Sequence, residues 1–136
     1  MNTKQIILVV EDDMDDAFLL EWAIHQAGSN KKIHRAQTGE EALSYLEGEG
    51  YFSDREAYPL PSMVFIDLKM PRVNGFDILR WKMERPHLKM PFIVLSGTSD
   101  EKDFFRANQL GASMFLTKPV SRETLNKCFK QFGLDF

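Results

Sequence analysis

Ile6-Ile7-Leu8-Val9-Val10 runs straight into Glu11-Asp12-Asp13. Five consecutive aliphatic residues, four of them β-branched, fit a strand covered on both faces. The carboxylates then mark where that strand leaves the core. The pattern recurs. Met63-Val64-Phe65-Ile66 ends at Asp67, Phe92-Ile93-Val94-Leu95 at Ser96, and Met114-Phe115-Leu116 at Thr117-Lys118.

Segments of helical spacing separate these runs. Ala17, Leu20, Ile24 and Ala27 share one face until Gly28. Thr38-Gly39-Glu40-Glu41 has capping-box spacing before Ala42, Tyr45 and Leu46. A turn through Pro71 and Gly75 precedes Phe76, Leu79 and Met83, and Asp100 can cap a helix through Asn108. Ser121 caps a last helix with Leu125, Cys128, Phe129 and Phe132 at i, i+3, i+4 and i+7. Ile33–Ala36 reads as a weaker, polar strand suited to a sheet edge. Gly48 to Ser62 is irregular, punctuated by Gly48, Gly50, Pro59 and Pro61. Strands alternating with helices require a parallel sheet covered on both sides. The expectation is one doubly wound α/β domain over residues 1–136.

In such a sheet the C-terminal strand ends share one rim, where ligands of open α/β sheets bind. Glu11, Asp12, Asp67, Ser96 and Lys118 therefore gather there. Two carboxylates about 4 Å apart repel by ~4 kcal/mol at an effective dielectric of ~20. A hard divalent cation relieves that repulsion, and Mg²⁺ favours carboxylate, carbonyl and water oxygens. Lys118 reads as a charge for a further anion. This set suits phosphoryl transfer, with Asp67 as the nucleophile that forms an acyl phosphate.

Val9-Val10-Glu11-Asp12, Asp67-Leu68-Lys69-Met70-Pro71 with Gly75, Leu95-Ser96-Gly97 and Lys118-Pro119 together resemble the receiver domain of two-component response regulators, the CheY-like fold. The resemblance covers essentially the whole chain and implies strand order 2-1-3-4-5. It further implies Asp67 as phosphoacceptor, Asp12 as a direct metal ligand, Glu11 acting through water and the Lys69 backbone carbonyl as a ligand. Ser96 and Lys118 would meet the phosphoryl group, Phe115 matches the aromatic switch position, and Lys118-Pro119 would be cis. The implied donor is a sensor histidine kinase or a phosphotransfer protein. The long segment before the third strand, with Asp67-Leu-Lys-Met-Pro, resembles the stand-alone receivers of phytochrome-type photoreceptor kinases. In receivers the surface built by the fourth helix, fifth strand and fifth helix carries dimers and outputs.

Composition narrows the alternatives. The 136 residues carry a net charge of −3, with 43% hydrophobic and 12% aromatic residues, enough for a core. Residues 1–68 hold 13 acids against 5 bases, and residues 69–136 hold 7 against 12. No apolar run approaches the ~20 residues that span a bilayer, and the N-terminus has no signal-peptide pattern. A single cysteine, Cys128, forms no internal disulfide and fits the cytoplasm. The acidic balance disfavours nucleic acid as partner. Only 18 residues follow Lys118, room for one helix and no output domain.

Other residues take plainer readings. Asp13, Asp15 and Asp16 suit a solvated helix start, and His25, His34 and His87 have no ligand spacing. Cys128 suits the core. Phe104, Phe105, Phe129, Phe132 and Phe136 exceed what one buried face of the last two helices can use, so an exposed patch and a homodimer there are expected. Tyr51, Phe52 and Tyr58 pin the irregular segment. Lys69 and Thr98 lie two positions beyond Asp67 and Ser96, and the Lys69 ammonium is expected to reach the phosphoryl group. Two rival functions remain. A Mg²⁺-dependent aspartyl-phosphate phosphatase would resemble Asp-x-Asp, against which Lys69 stands at the second position. A receiver-like interaction module that is never phosphorylated would have no use for the complete acid and lysine set.

Overall fold

The computed structural model describes residues 5–28, 31–97 and 100–133. Thr98 and Phe136, singled out above, lie outside them. Five parallel strands, β1 (Ile6–Val10), β2 (Lys32–Ala36), β3 (Met63–Asp67), β4 (Phe92–Ser96) and β5 (Met114–Thr117), form one sheet in the order β2-β1-β3-β4-β5. Helices α1 (Met14–Gln26), α2 (Gly39–Glu47), α3 (Gly75–Met83), α4 (Glu101–Gln109) and α5 (Arg122–Gln131) connect and follow them. This is the doubly wound receiver, or flavodoxin-like, fold. Polar β2 takes an edge, as its composition requires, while β1, β3 and β4 are buried at every residue.

The pleat sends alternate side chains into two cores. Leu8, Val10, Val64, Ile66, Phe92 and Val94 pack with residues of α2, α3 and α4, including Tyr45, Phe76 and Leu79. Ile7, Val9, Met63, Phe65, Ile93 and Leu95 pack with Leu20 and Ile24 of α1 and Leu125, Cys128 and Phe129 of α5. Burial pushes the Cys128 thiol up to about 12. Its contribution to stability is therefore present below the ordinary thiol value and is lost as pH rises towards that figure. At neutral pH iodoacetamide should label Cys128 only in denaturant, as intact mass would show.

Helix starts carry side-chain caps, at Thr38, Asp100 and Ser121 as expected and also at Asp13 and Asn74. Asp13, Thr38, Asn74, Asp100 and Ser121 each accept from a first-turn backbone amide. At α2 the box is altered: Glu41 accepts from the Gln37 amide rather than from that of Thr38. One helix face differs from expectation. Met83, the last residue of α3, is 52% exposed, while Ile78 is buried beside Phe76 and Leu79. In α1 the expected Ala17, Leu20 and Ile24 are buried, Ala27 packs partly buried against the same core and Ala23 joins them, while Met14, Phe18, Leu19 and Trp22 all face solvent. Apolar residues therefore lie on both sides of α1, only one of which is buried.

The irregular segment contains a short 3₁₀ turn (Gly50–Phe52) and is fixed to α2 by aromatic contacts and by hydrogen bonds from Arg55. Phe52 and Tyr58 pack on Tyr45, with ring centroids 5.0 and 5.9 Å away, whereas Tyr51 is largely exposed. The half-buried His34 also joins this cluster, its Nδ1 2.8 Å from the Tyr45 hydroxyl. Gly48 ends α2 at φ 68°, a left-handed conformation that suits glycine. The Arg55 guanidinium donates to the carbonyls of Tyr45, Leu46 and Tyr58 at 2.7–3.0 Å, satisfying the open C-terminus of α2. Arg55→Met should cost ~2 kcal/mol of stability, since charged donors to orphan carbonyls are removed. Urea unfolding measures this.

Candidate functional site

Strand register brings the rim residues together. Val10 sits opposite Ile66, Asp67 opposite Leu95, and Ser96 opposite Thr117. Glu11, Asp67, Ser96 and Lys118 thus leave four adjacent strand ends. Gly75 permits the turn after β3 to close: a Cβ there would come within 2.8 Å of the Asp67 carbonyl oxygen and 2.9 Å of Leu68 Cα. The Lys118-Pro119 peptide is cis.

Glu11, Asp12 and Asp67 each present a carboxylate oxygen, all within 4.8 Å of one another. Glu11 and Asp67 are buried and Asp12 is exposed, so the group opens to solvent at one side. Arg35 fixes the Glu11 backbone by donating to its carbonyl at 2.8 and 3.1 Å. The Lys69 amide donates to Asp67 Oδ1 at 3.2 Å. Ser96 is fully buried, and nothing stands within 4 Å of where a Gly97 Cβ would be.

The Lys118 ammonium lies among three acids: Glu11 at 2.7 Å, Asp16 at 2.9 Å and Asp67 at 3.4 Å. Burial lowers its affinity for a proton, but the bonds to Asp16 and Glu11 and the charge of Asp67 outweigh this, so it stays firmly charged. One positive charge cannot neutralise so many carboxylates. Glu11 bears the consequence: burial pushes its carboxyl up to about 7, with Asp67 adding to the rise and Lys118 opposing it. An all-oxygen cluster with excess negative charge fits a hard divalent cation.

Two placements depart from the sequence reading. Asp16, taken there as a solvated helix start, is bonded to Lys118. Its position in the first turn of α1, next to the rim, is the signal that could have pointed to it. The Lys69 ammonium is turned to Asp103 of α4, 3.0 Å away, rather than towards Asp67. Phe115 stacks on Phe104 with centroids 5.4 Å apart, and both Phe104 and Phe105 are exposed on α4.

The family profile of the response regulator receiver domain matches residues 7–130. The chain belongs to that family. This receiver is 27% identical over 127 residues to response regulator Rcp1 of Synechocystis, covering 93% of this chain and 84% of that one. Among solved structures, the bacteriophytochrome response regulator AtBRR has a TM-score of 0.85 at 29% identity, covering 99% of this chain and 96% of that one. The phosphorylated cyanobacterial phytochrome response regulator RcpA has a TM-score of 0.77 at 28% identity, covering 95% and 91%. The resemblance to receivers of phytochrome-type systems is thereby borne out. No helix among the described residues is long and apolar enough to cross a membrane.

Proposed function

We propose that this receiver accepts a phosphoryl group on Asp67 from a histidine kinase and acts as a response regulator. The observation that carries this reading is the junction of Lys118 with Asp67 beside the Glu11, Asp12 and Asp67 oxygens. An Asp67 carboxylate oxygen attacks the phosphorus of the kinase's phosphohistidine. The P–O bond forms as the P–N bond breaks, the imidazole nitrogen keeps the electron pair, and an acyl phosphate results. Asp12 and Asp67 directly, Glu11 through water, and the Lys69 backbone carbonyl would hold Mg²⁺, which when bound offsets charge on the phosphoryl oxygens.

Lys118 then pairs with the phosphoryl group, and the Ser96 hydroxyl donates to it. Phe115 carries the change to α4 through its stack on Phe104, so the output face is α4-β5-α5. The exposed Phe104 and Phe105 support a partner or a second copy of the chain there. A phytochrome-type kinase or a phosphotransfer protein is the donor, in the cytoplasm, and neither nucleic acid nor a membrane is needed.

The test is transfer of label from a phosphorylated phytochrome-type histidine kinase, with and without Mg²⁺. Mg²⁺-dependent transfer to Asp67 supports the reading. Its absence, or rapid multiple turnover of small phosphomonoesters, overturns it.

A further inference from the structure

We propose that Asp16 is a positioning residue that holds the Lys118 ammonium back from the acceptor until Asp67 carries a phosphoryl group. The inference rests on Asp67 being the acceptor. Lys118 Nζ donates to Glu11 Oε1 at 2.7 Å and to Asp16 Oδ2 at 2.9 Å. Its distance to Asp67 is 3.4 Å, beyond the range of a charge-assisted bond. Of three potential acceptors, the one that receives the phosphoryl group is the most weakly held.

The two short bonds are not equally releasable. The Glu11 side chain is 2% exposed and would be left in a dry site, whereas that of Asp16 is 41% exposed and can return to water. The backbone of Asp16 is held in the first turn of α1, its amide donating to the Asp13 cap at 3.0 Å. Asp16 therefore presents a carboxylate that the ammonium can leave at small cost. An acyl phosphate dianion carries more charge than the carboxylate it replaces. Lys118 moves to it by giving up Asp16 and keeping Glu11. Asp16 sets how strongly the unphosphorylated site retains its lysine.

The test is the affinity of the protein for beryllofluoride in saturating Mg²⁺, measured by calorimetry. Asp16→Asn should bind about fivefold more tightly than wild type, the equivalent of ~1 kcal/mol. Asp15→Asn, which removes the same charge from the neighbouring position, should stay within about twofold. The gain should persist in ~1 M KCl, where the Debye length is ~3 Å and through-solvent repulsion is screened. Asp16→Glu should return towards wild type. Damage to the site would weaken binding, so the sign separates positioning from structural loss. Weaker or unchanged binding by Asp16→Asn, an equal gain in Asp15→Asn, or a gain abolished by salt overturns the role of Asp16 alone. A wild type that binds no beryllofluoride overturns the acceptor reading itself.

Discussion

Lys118→Met should destabilise the metal-free protein by ~3 kcal/mol, because removing one partner of a buried ion pair leaves uncompensated charge. The lysine side chain is 18% exposed, and those of Glu11 and Asp67 are 2% and 8% exposed. Methionine of similar length keeps the packing, so the loss reports charge. Millimolar Mg²⁺ should recover much of it and should stabilise the variant more than wild type, since the cation no longer meets a competing ammonium. Urea unfolding with and without MgCl₂ gives both numbers. An equal Mg²⁺ effect in the two proteins would mean that Lys118 and the metal do not share one charge cluster.

Phe129→Ala tests the scaffold rather than the chemistry. Phe129 is fully buried and meets Phe65 of the central strand edge-to-face, with centroids 6.4 Å apart. It joins α5 to the sheet, in the same core as α1. Truncating a buried phenylalanine leaves a cavity and should cost ~4 kcal/mol. Mg²⁺ should raise the stability of this variant by no more than it raises wild type. The pair of variants thus separates a packing loss from an electrostatic one of similar size.

The sequence carries the fold because its local signals agree. The unbroken apolar runs of β1, β3 and β4 require two covered faces, and the polar composition of β2 requires an edge. The site was legible for the same reason, since parallel strands deliver their ends to one rim. Glu11, Asp12, Asp67, Ser96 and Lys118 could be gathered without knowing any distance. Asp16 could not. Its partner is 102 residues away, and in the local sequence it looks like any helix-start acid. Lys69 was misplaced for a similar reason: its ammonium is claimed by Asp103, on a helix whose position is set by tertiary packing. The spacing of Ala17, Leu20 and Ile24 found the buried side of α1, but it gives no account of the apolar residues on the exposed side. His34 has no ligand spacing in the sequence, and its ring contacts with Tyr45 and Tyr58 arise only from the packing of the irregular segment.

The central claim is that Asp67 receives a phosphoryl group. Its most direct test is intact mass after incubation with acetyl phosphate and Mg²⁺, in wild type and in Asp67→Asn. Wild type should gain the mass of one phosphoryl group, labile to alkali as an acyl phosphate is, and EDTA should prevent the gain. Asp67→Asn should remain unmodified. An unmodified wild type, or equal labelling of Asp67→Asn, would contradict the account.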